Sequence, residues 1–187
     1  MVKRNSCVFI SGSGTNLRAL IQSSRKYNFP INIKLIVSNK KNALGLVFAK
    51  RYSIPFKIID TKNSLFEAKL INEINKRKIS LICLAGYMKI LTKSFIKNYK
   101  GKIINIHPSL LPKYKGTNTF SRILKNGEKK TGCTVHFVNE KLDSGKIILK
   151  KSFQIDKKED IATLKSKTQR MEYKAFSEAI TKMYIMN

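Results

Sequence analysis

The chain lacks any apolar run long enough to cross a bilayer. Its longest apolar stretch, near Ile79 to Met88, falls well short of the roughly 20 residues that a membrane-spanning helix needs. Close to the N-terminus, the apolar segment from Cys7 to Ile10 is interrupted by S-G-S-G, so it is too short for the apolar part of a signal peptide. We therefore expect a cytoplasmic protein without a membrane partner.

Cysteine is also scarce, with only Cys7, Cys83 and Cys133 in the chain. Their number is odd, each lies in an apolar or strand-like segment, and none belongs to a C-x-x-C pair. This pattern indicates buried, reduced thiols and predicts neither disulfides nor a metal site. Cys133 has no neighbouring base in the sequence, so we do not expect it to be a nucleophile.

Acidic residues are few: 11 Asp and Glu stand against 38 Lys and Arg, giving a net charge of +27. Such a charge attracts phosphate groups whatever their sequence context. The lysines are spread along the whole chain, however, and no RNP, zinc-finger or helix-turn-helix pattern accompanies them. We therefore expect a solvated basic surface and no nucleic-acid partner, with a basic nucleotide- or RNA-binding module as the non-enzymatic alternative.

A length of 187 residues and an apolar content of 42% suit one domain with a sizeable core. Short β-branched segments alternate with helical ones in the first part of the chain. Their apolar character is continuous, which is typical of parallel strands buried on both faces. The predicted strands are Cys7–Ile10, Ile33–Val37, Phe56–Ile59, Leu81–Ala85 and Lys102–Ile106, and the predicted helices are Leu17–Arg25, Ala43–Tyr52 and Leu65–Arg77.

The pattern changes in the last third of the chain. Thr131–Val138 and Lys146–Phe153 read as strands, and the connector N-E-K-L-D-S-G is too short for a crossover helix, so these strands should pair antiparallel. Glu159 to Ile185 reads as a long closing helix with one apolar stripe. We therefore predict a single α/β domain over residues 1–187, with a doubly wound, mostly parallel sheet, an antiparallel C-terminal strand pair and a long C-terminal helix.

A glycine-containing loop, S-G-S-G-T-N-L from Ser11 to Leu17, joins the first predicted strand to the first helix. Backbone amides and a helix N-terminus form an anion site at such a position, although a tight turn with a helix cap explains a lone G-x-G equally well. Leu17 stands where a dinucleotide-binding loop has its third glycine, and the loop lacks the G-K-[ST] ending of a P-loop. A phosphomonoester therefore fits better than NAD or ATP.

His107 is one of two histidines and directly follows a predicted strand, in N-I-H-P-S-L-L-P. Asn105 points to the same side of that strand, and an amide beside an imidazole can stabilise an oxyanion and move protons. Asp143, in L-D-S-G, is placed to orient the imidazole and raise its pKa. Alternatively, His107 caps the proline turn that follows it and Asp143 forms an Asx turn. His136, in mid-strand, is expected to be a hydrogen-bonded core residue.

Several segments together resemble the phosphoribosylglycinamide formyltransferases, folate-dependent enzymes of purine biosynthesis. The resemblance covers nearly the whole chain, and it is carried by I-S-G-S-G-T-N-L, L-A-G-Y-M-K-I-L, N-I-H-P-S-L-L-P-K-Y-K-G, T-G-C-T-V-H-F-V and L-D-S-G. It implies a Rossmann-like formyltransferase fold, and transfer of a formyl group from 10-formyltetrahydrofolate to the amine of phosphoribosylglycinamide without a metal. It also implies small-molecule partners, and we expect a monomer or a weak homodimer.

By position, the resemblance implies that Asn105, His107 and Asp143 are the catalytic residues. It implies that the phosphoribosyl substrate is bound by Gly12, Ser13, Gly14, Thr15, Asn16 and Glu172. It further implies that the folate is bound by Met88, Lys89, Ile90, Leu91 and Asn105. The chain departs from the family's usual residues at Asn63, Lys89, Asn118, Phe120, Ser144 and Tyr173.

Two related enzymes are alternatives within the same resemblance. A formyltransferase acting on methionyl-tRNA would suit the basic charge, but that family carries an additional C-terminal domain for which 187 residues leave no room. A formyltetrahydrofolate deformylase would need an extra N-terminal regulatory domain. The length of the chain and its phosphate loop therefore favour the nucleotide enzyme.

Overall fold

The computed structural model describes residues 2–60 and 66–185, and within them the chain forms seven strands and six helices. Two compact units divide the chain, Met1–Ile104 and Asn105–Asn187. The strands are β1 (Arg4–Ile10), β2 (Ile31–Ser38), β3 (Phe56–Ile58), β4 (Leu81–Leu84), β5 (Lys102–His107), β6 (Lys130–Phe137) and β7 (Ile147–Gln154). The helices are α1 (Thr15–Ser24), α2 (Leu46–Arg51), α3 (Phe66–Lys76), α4 (Lys93–Asn98), α5 (Thr119–Lys125) and α6 (Ile161–Ile185).

The first unit carries the parallel part of the sheet, in the order β3-β2-β1-β4, followed by the first residues of β5. β1 pairs parallel with both neighbours, so that Val8 lies opposite Ile36 on β2 and Cys83 on β4. Every residue of β4 and all of β1 beyond Asn5 are buried, because helices cover both faces of a parallel sheet. The prediction of a doubly wound, mostly parallel sheet is confirmed.

The core of the first unit contains an aromatic cluster that the strand pattern did not reveal. The ring of Phe9 on β1 packs edge-on against Tyr87, with ring centroids 5.3 Å apart, and against Phe95, at 6.3 Å. Phe95 belongs to α4, a helix that the sequence reading missed. Six residues are too few to show a helical period, and the local signal is the cap, because the Thr92 hydroxyl accepts a hydrogen bond from the Phe95 amide at 3.0 Å.

The second unit contains the end of β5, then β6 and β7, with α6 packed on the last two strands. β6 and β7 pair antiparallel, Val135 lying opposite Leu149, which confirms the predicted strand pair. The predicted long helix is confirmed as α6, whose buried residues recur every three or four positions: Leu164, Thr168, Glu172, Ala175, Phe176, Ala179, Ile180 and Met183. The seven-residue helix α5 was not predicted.

No helix among residues 2–60 and 66–185 is both long enough and apolar enough to span a membrane. This agrees with the shortness of every apolar run in the sequence.

Gly132 on β6 lies close to the backbone of β7. A Cβ atom at this position would lie 1.8 Å from the Lys151 carbonyl oxygen, a backbone atom that cannot move without breaking the strand pairing. We expect Gly132→Ala to lower the free energy of unfolding by about 3 kcal/mol through overpacking. Urea denaturation measures this loss, and exposed Lys130→Ala on the same strand is the control, expected to stay within about 0.5 kcal/mol of the parent. Equal midpoints for the two variants would contradict the close approach.

Candidate active site

A cluster of polar side chains lies in the second unit, where β5 ends. Asn105 and His107 are two residues apart on β5, so both side chains project from the same face. β6 contributes His136, and the loop that follows it contributes Asp143. Three of the four are buried, with exposed fractions of 5% for His107, 2% for His136 and 8% for Asp143, whereas Asn105 is half-buried. The structure thus brings together the three residues for which the sequence predicts catalysis.

The His107 ring faces an oxygen atom at each nitrogen. Its Nε2 lies 2.8 Å from the Tyr114 carbonyl oxygen, and its Nδ1 lies 3.3 Å from Asp143 Oδ2. In a neutral imidazole only one nitrogen carries hydrogen, and the shorter contact assigns that hydrogen to Nε2, which donates it to the carbonyl. Nδ1 then presents its lone pair on the side of Asp143 and is the atom able to gain a proton.

The pKa of His107 is lower than that of an ordinary histidine. Burial is the main cause, because it disfavours the charged ring. The Tyr114 carbonyl and the Asp143 carboxylate act in the opposite direction without overcoming the burial. Asp143 therefore acts on the pKa of His107 in the expected direction, and burial, which the sequence did not show, outweighs it. The resting ring is neutral at neutral pH.

Asp143 is held as a carboxylate by groups that come from distant parts of the chain. Its Oδ2 accepts a hydrogen bond from the Gly116 amide at 2.9 Å, and its Oδ1 accepts one from Asn105 Nδ2 at 3.4 Å. Burial alone would raise the pKa of Asp143, but the hydrogen bond donated by the Gly116 amide helps to hold it below its usual range. With φ at 46°, the backbone is in the left-handed region, which Asp tolerates better than most residues.

His136 is the residue that the sequence analysis underestimated. It is buried and hydrogen-bonded, its Nδ1 lying 2.8 Å from the Phe137 carbonyl oxygen, as the core prediction requires. Its Nε2, however, lies 3.3 Å from Asn105 Nδ2 and 3.6 Å from Asp143 Oδ1. A mid-strand position gives no sequence signal for such contacts, because they depend on how β6 pairs with its neighbours.

Glu172 and Cys133 occupy buried positions in the same unit. Glu172 lies on the buried stripe of α6, with 7% of its surface exposed. Burial raises the pKa of the Cys133 thiol to about 12, and the charge of Glu172 adds to this rise. The Cys133 thiol is therefore protonated at neutral pH, which agrees with its expected lack of a nucleophilic role.

The predicted phosphate loop, Gly12 to Asn16, lies in the first unit and leads into α1. Gly12 and Ser13 are exposed, and Gly14 caps α1 in a left-handed conformation with φ at 73°. A Cβ atom at Gly14 would lie 2.4 Å from the Gly45 Cα, so only glycine fits there. The exposed loop presents backbone amides ahead of a ten-residue helix, an arrangement that suits an anion.

The segment Met88 to Leu91, predicted to bind folate, is linked to this loop by Ser11. The Ser11 hydroxyl donates to Asn39 Oδ1 at 2.6 Å and accepts a hydrogen bond from the Met88 amide at 2.7 Å. Met88 and Ile90 are 73% and 77% exposed, whereas Leu91 is buried. Two exposed apolar side chains beside a polar backbone suit one edge of a flat heteroaromatic ring.

The positions that depart from the resemblance have separate environments. Asn118 precedes α5 with φ at 55°, and Phe120 lies within that helix. Ser144 donates to the Leu142 carbonyl at 2.9 Å and accepts a hydrogen bond from Lys115 Nζ at 2.5 Å. Lys89 is exposed and Tyr173 is half-buried, and Asn63 lies outside the described residues. Across the described ranges, no group of three or more His, Cys, Asp or Glu is placed to hold a metal ion.

Comparison with known proteins places these observations in a family. Residues 4–180 match the formyl transferase family. The phosphoribosylglycinamide formyltransferase of Haemophilus influenzae is 42% identical over 90% of this chain and 82% of its own length. The enzyme of the same name from Bacillus subtilis is 33% identical over 96% and 94%.

Longer relatives and solved structures agree. The trifunctional purine biosynthetic protein adenosine-3 of Gallus gallus is 42% identical over 92% of this chain, which spans only 18% of that protein's length. The crystal structure of phosphoribosylglycinamide formyltransferase from Brucella melitensis has a TM-score of 0.92 at 34% identity, covering 97% of this chain and 95% of that one. The Coxiella burnetii protein has a TM-score of 0.90 at 38% identity, with coverages of 97% and 87%.

The contact between Asp143 and His107 makes a prediction about proton affinity. Because the carboxylate favours the charged ring, Asp143→Asn should lower the pKa of His107 further below the ordinary histidine value. The ring's protonated form would then appear only at still lower pH. NMR titration of the histidine rings measures this, and His107→Gln identifies the signal because the chain has only two histidines.

Asp160→Asn is the control for that titration, since Asp160 is an exposed carboxylate that caps α6 by accepting from the Thr163 amide. It should leave the His107 midpoint unchanged. An unshifted midpoint in Asp143→Asn would show that the carboxylate does not act on this ring.

Proposed function

The chain belongs to the formyl transferase family, and from this premise we propose that it transfers a formyl group from 10-formyltetrahydrofolate to the amine of 5-phosphoribosylglycinamide, giving the N-formyl product in purine biosynthesis. The observation that carries the proposal is the contact of the Asp143 carboxylate with both Asn105 and His107 at the end of β5. An amide donor, a neutral imidazole and a carboxylate are the groups that acyl transfer to an amine requires. We also propose that residues 1–187 form one formyltransferase domain, because the family match covers residues of both units.

The proposed chemistry begins when the substrate's amine nitrogen bonds to the formyl carbon. The carbonyl π electrons move to oxygen, and Asn105 Nδ2 donates a hydrogen bond to that developing oxyanion. The amine nitrogen, now positively charged, gives a proton to His107 Nδ1, whose lone pair is available in the resting state. Asp143, 3.3 Å away, stabilises the resulting imidazolium.

Collapse of the oxyanion then breaks the bond from the formyl carbon to the folate nitrogen. His107 Nδ1 returns its proton to that departing nitrogen, so protons and electrons balance over the cycle. The lowered pKa of His107 suits this order, because a ring that is neutral at rest can first accept a proton and then give it up. The hydrogen bond from Nε2 to Tyr114 keeps the ring in the tautomer that both steps need.

Substrate binding is proposed for residues outside this cluster together with Asn105. The phosphate loop at the start of α1 suits the substrate's phosphate, with Gly12, Ser13, Gly14, Thr15 and Asn16 as its binding residues. We propose that Glu172 contacts the ribose hydroxyls. The exposed Met88 and Ile90, with Lys89, Leu91 and Asn105, are proposed to bind the folate.

Kinetics on purified protein test the catalytic assignment. Asn105→Ala should lower kcat by about 10²–10³-fold, the effect of removing one oxyanion donor. His107→Ala and Asp143→Asn should each lower kcat strongly, and the double variant should lose much less than the product of the two losses, because the residues act as a unit. Asp160→Asn should keep the parent rate.

If the loss of kcat in that double variant equals the product of the two single losses, the two residues have independent roles. That result would overturn the proposed pairing. Activity on methionyl-tRNA without activity on the ribonucleotide would replace the proposed substrate. Tight, salt-dependent binding of tRNA without any formyl transfer would favour the RNA-binding alternative, to which the charge of +27 points.

The phosphate loop should affect substrate affinity more than chemistry, because it contacts a group remote from the reacting amine. Gly14→Val is unsuitable as a probe, since it would clash with Gly45. Thr15→Val removes only a hydroxyl and should raise the KM for the ribonucleotide roughly tenfold, the effect of one lost hydrogen bond, with kcat nearly unchanged. A variant with normal KM and reduced kcat would refute the assignment.

A further inference from the structure

The proposed reaction leaves one buried side chain of the cluster without a role, His136 on β6. Its Nδ1 lies 2.8 Å from the Phe137 carbonyl oxygen. A carbonyl oxygen only accepts hydrogen bonds, so Nδ1 carries a hydrogen. In the neutral ring, Nε2 is then unprotonated and can only accept.

The atom of the Asn105 side chain that faces Nε2 can be identified as well. Asn105 Nδ2 lies 3.3 Å from His136 Nε2 and 3.4 Å from Asp143 Oδ1. An ionised carboxylate only accepts, so the amide atom facing it must be the nitrogen and not the oxygen. One N–H of Asn105 therefore points to Asp143, and the other points to the lone pair of His136.

The opposite arrangement of His136 conflicts with these contacts. A ring that donated from Nε2 towards Asp143, where the separation is 3.6 Å, would set its N–H against an N–H of Asn105 at 3.3 Å. That separation from Asp143 also exceeds ordinary hydrogen-bond length. The acceptor role of Nε2 thus accounts for all three contacts, and Asp143 then receives its hydrogen bonds from Asn105 and the Gly116 amide.

We propose that His136, as the neutral ring with hydrogen on Nδ1, is a positioning residue that sets the orientation of the Asn105 amide. It anchors one N–H and leaves the second directed to the side on which Asp143 and His107 lie. The second N–H is the one that donates to the oxyanion, and little is lost on its release because its bond to Asp143 is long, at 3.4 Å. This inference rests on the proposed function, in which Asn105 stabilises that oxyanion.

Paired substitutions separate positioning from packing. His136→Leu fills much of the volume of the ring with an apolar side chain that has no hydrogen-bond acceptor. The Asn105 amide is then free to turn. We expect kcat to fall at least tenfold with the KM of the ribonucleotide within about twofold, because the residues proposed to bind that substrate do not include Asn105. His136→Gln offers a side-chain oxygen as the acceptor and should recover most of the lost kcat.

Equal losses in His136→Gln and His136→Leu, or a rise in KM with kcat unchanged, would overturn the positioning role. Thermal unfolding of both variants identifies a loss that comes from misfolding. In that case the NMR measurements on the parent protein decide the question.

Two NMR readouts need neither substrate nor activity. In the parent protein at neutral pH, ring correlations of His136 should show hydrogen on Nδ1 and none on Nε2, and hydrogen on Nε2 would overturn the inference. The side-chain amide signals of Asn105 should shift in His136→Leu and stay close to the parent in His136→Gln. Unchanged Asn105 signals in the leucine variant would also overturn it. A parent protein inactive in formyl transfer would refute the proposed function, while these signals would still decide how the amide is held.

Discussion

The buried carboxylate of Asp143 is the constraint on which the arrangement of the site depends. A charge removed from water is costly unless hydrogen bonds and opposite charge compensate for it. Here compensation comes from the Gly116 amide and from the Asn105 side chain, which both donate hydrogen bonds to the carboxylate. Asp143 and the groups that donate to it come from separate segments of the chain. The end of β5, the segment after it and the loop after β6 must therefore all be folded for the buried charge to be stable.

The same charge sets the chemistry of His107. Burial favours the neutral ring, and Asp143 makes protonation less unfavourable than burial alone would. A ring balanced in this way is neutral at rest and, in the proposed reaction, can accept a proton from the amine nitrogen. In the proposed mechanism the proton therefore passes through Nδ1 while Nε2 stays bonded to Tyr114.

Much of the fold was predictable because its signals are local. Continuous apolar runs identified the strands of the parallel sheet, and a connector too short for a helix identified the antiparallel pair, which β6 and β7 form. The two missed helices, α4 and α5, have six and seven residues, too few to establish a period. Their positions follow from what they pack against, such as Phe95 against Phe9, and that information is not local.

The sequence alone was enough to propose Asn105, His107 and Asp143 as the catalytic residues, since strand ends, residue type and resemblance all point to them. Tertiary structure alone decided three other matters. It decided that burial outweighs Asp143 in the pKa of His107, because desolvation depends on every segment that covers the ring. It decided that the carboxylate receives the Gly116 amide, 27 positions earlier in the chain. It also brought His136 to the Asn105 amide, because a hydrogen bond between residues 31 positions apart depends on the pairing of strands, which no single segment specifies.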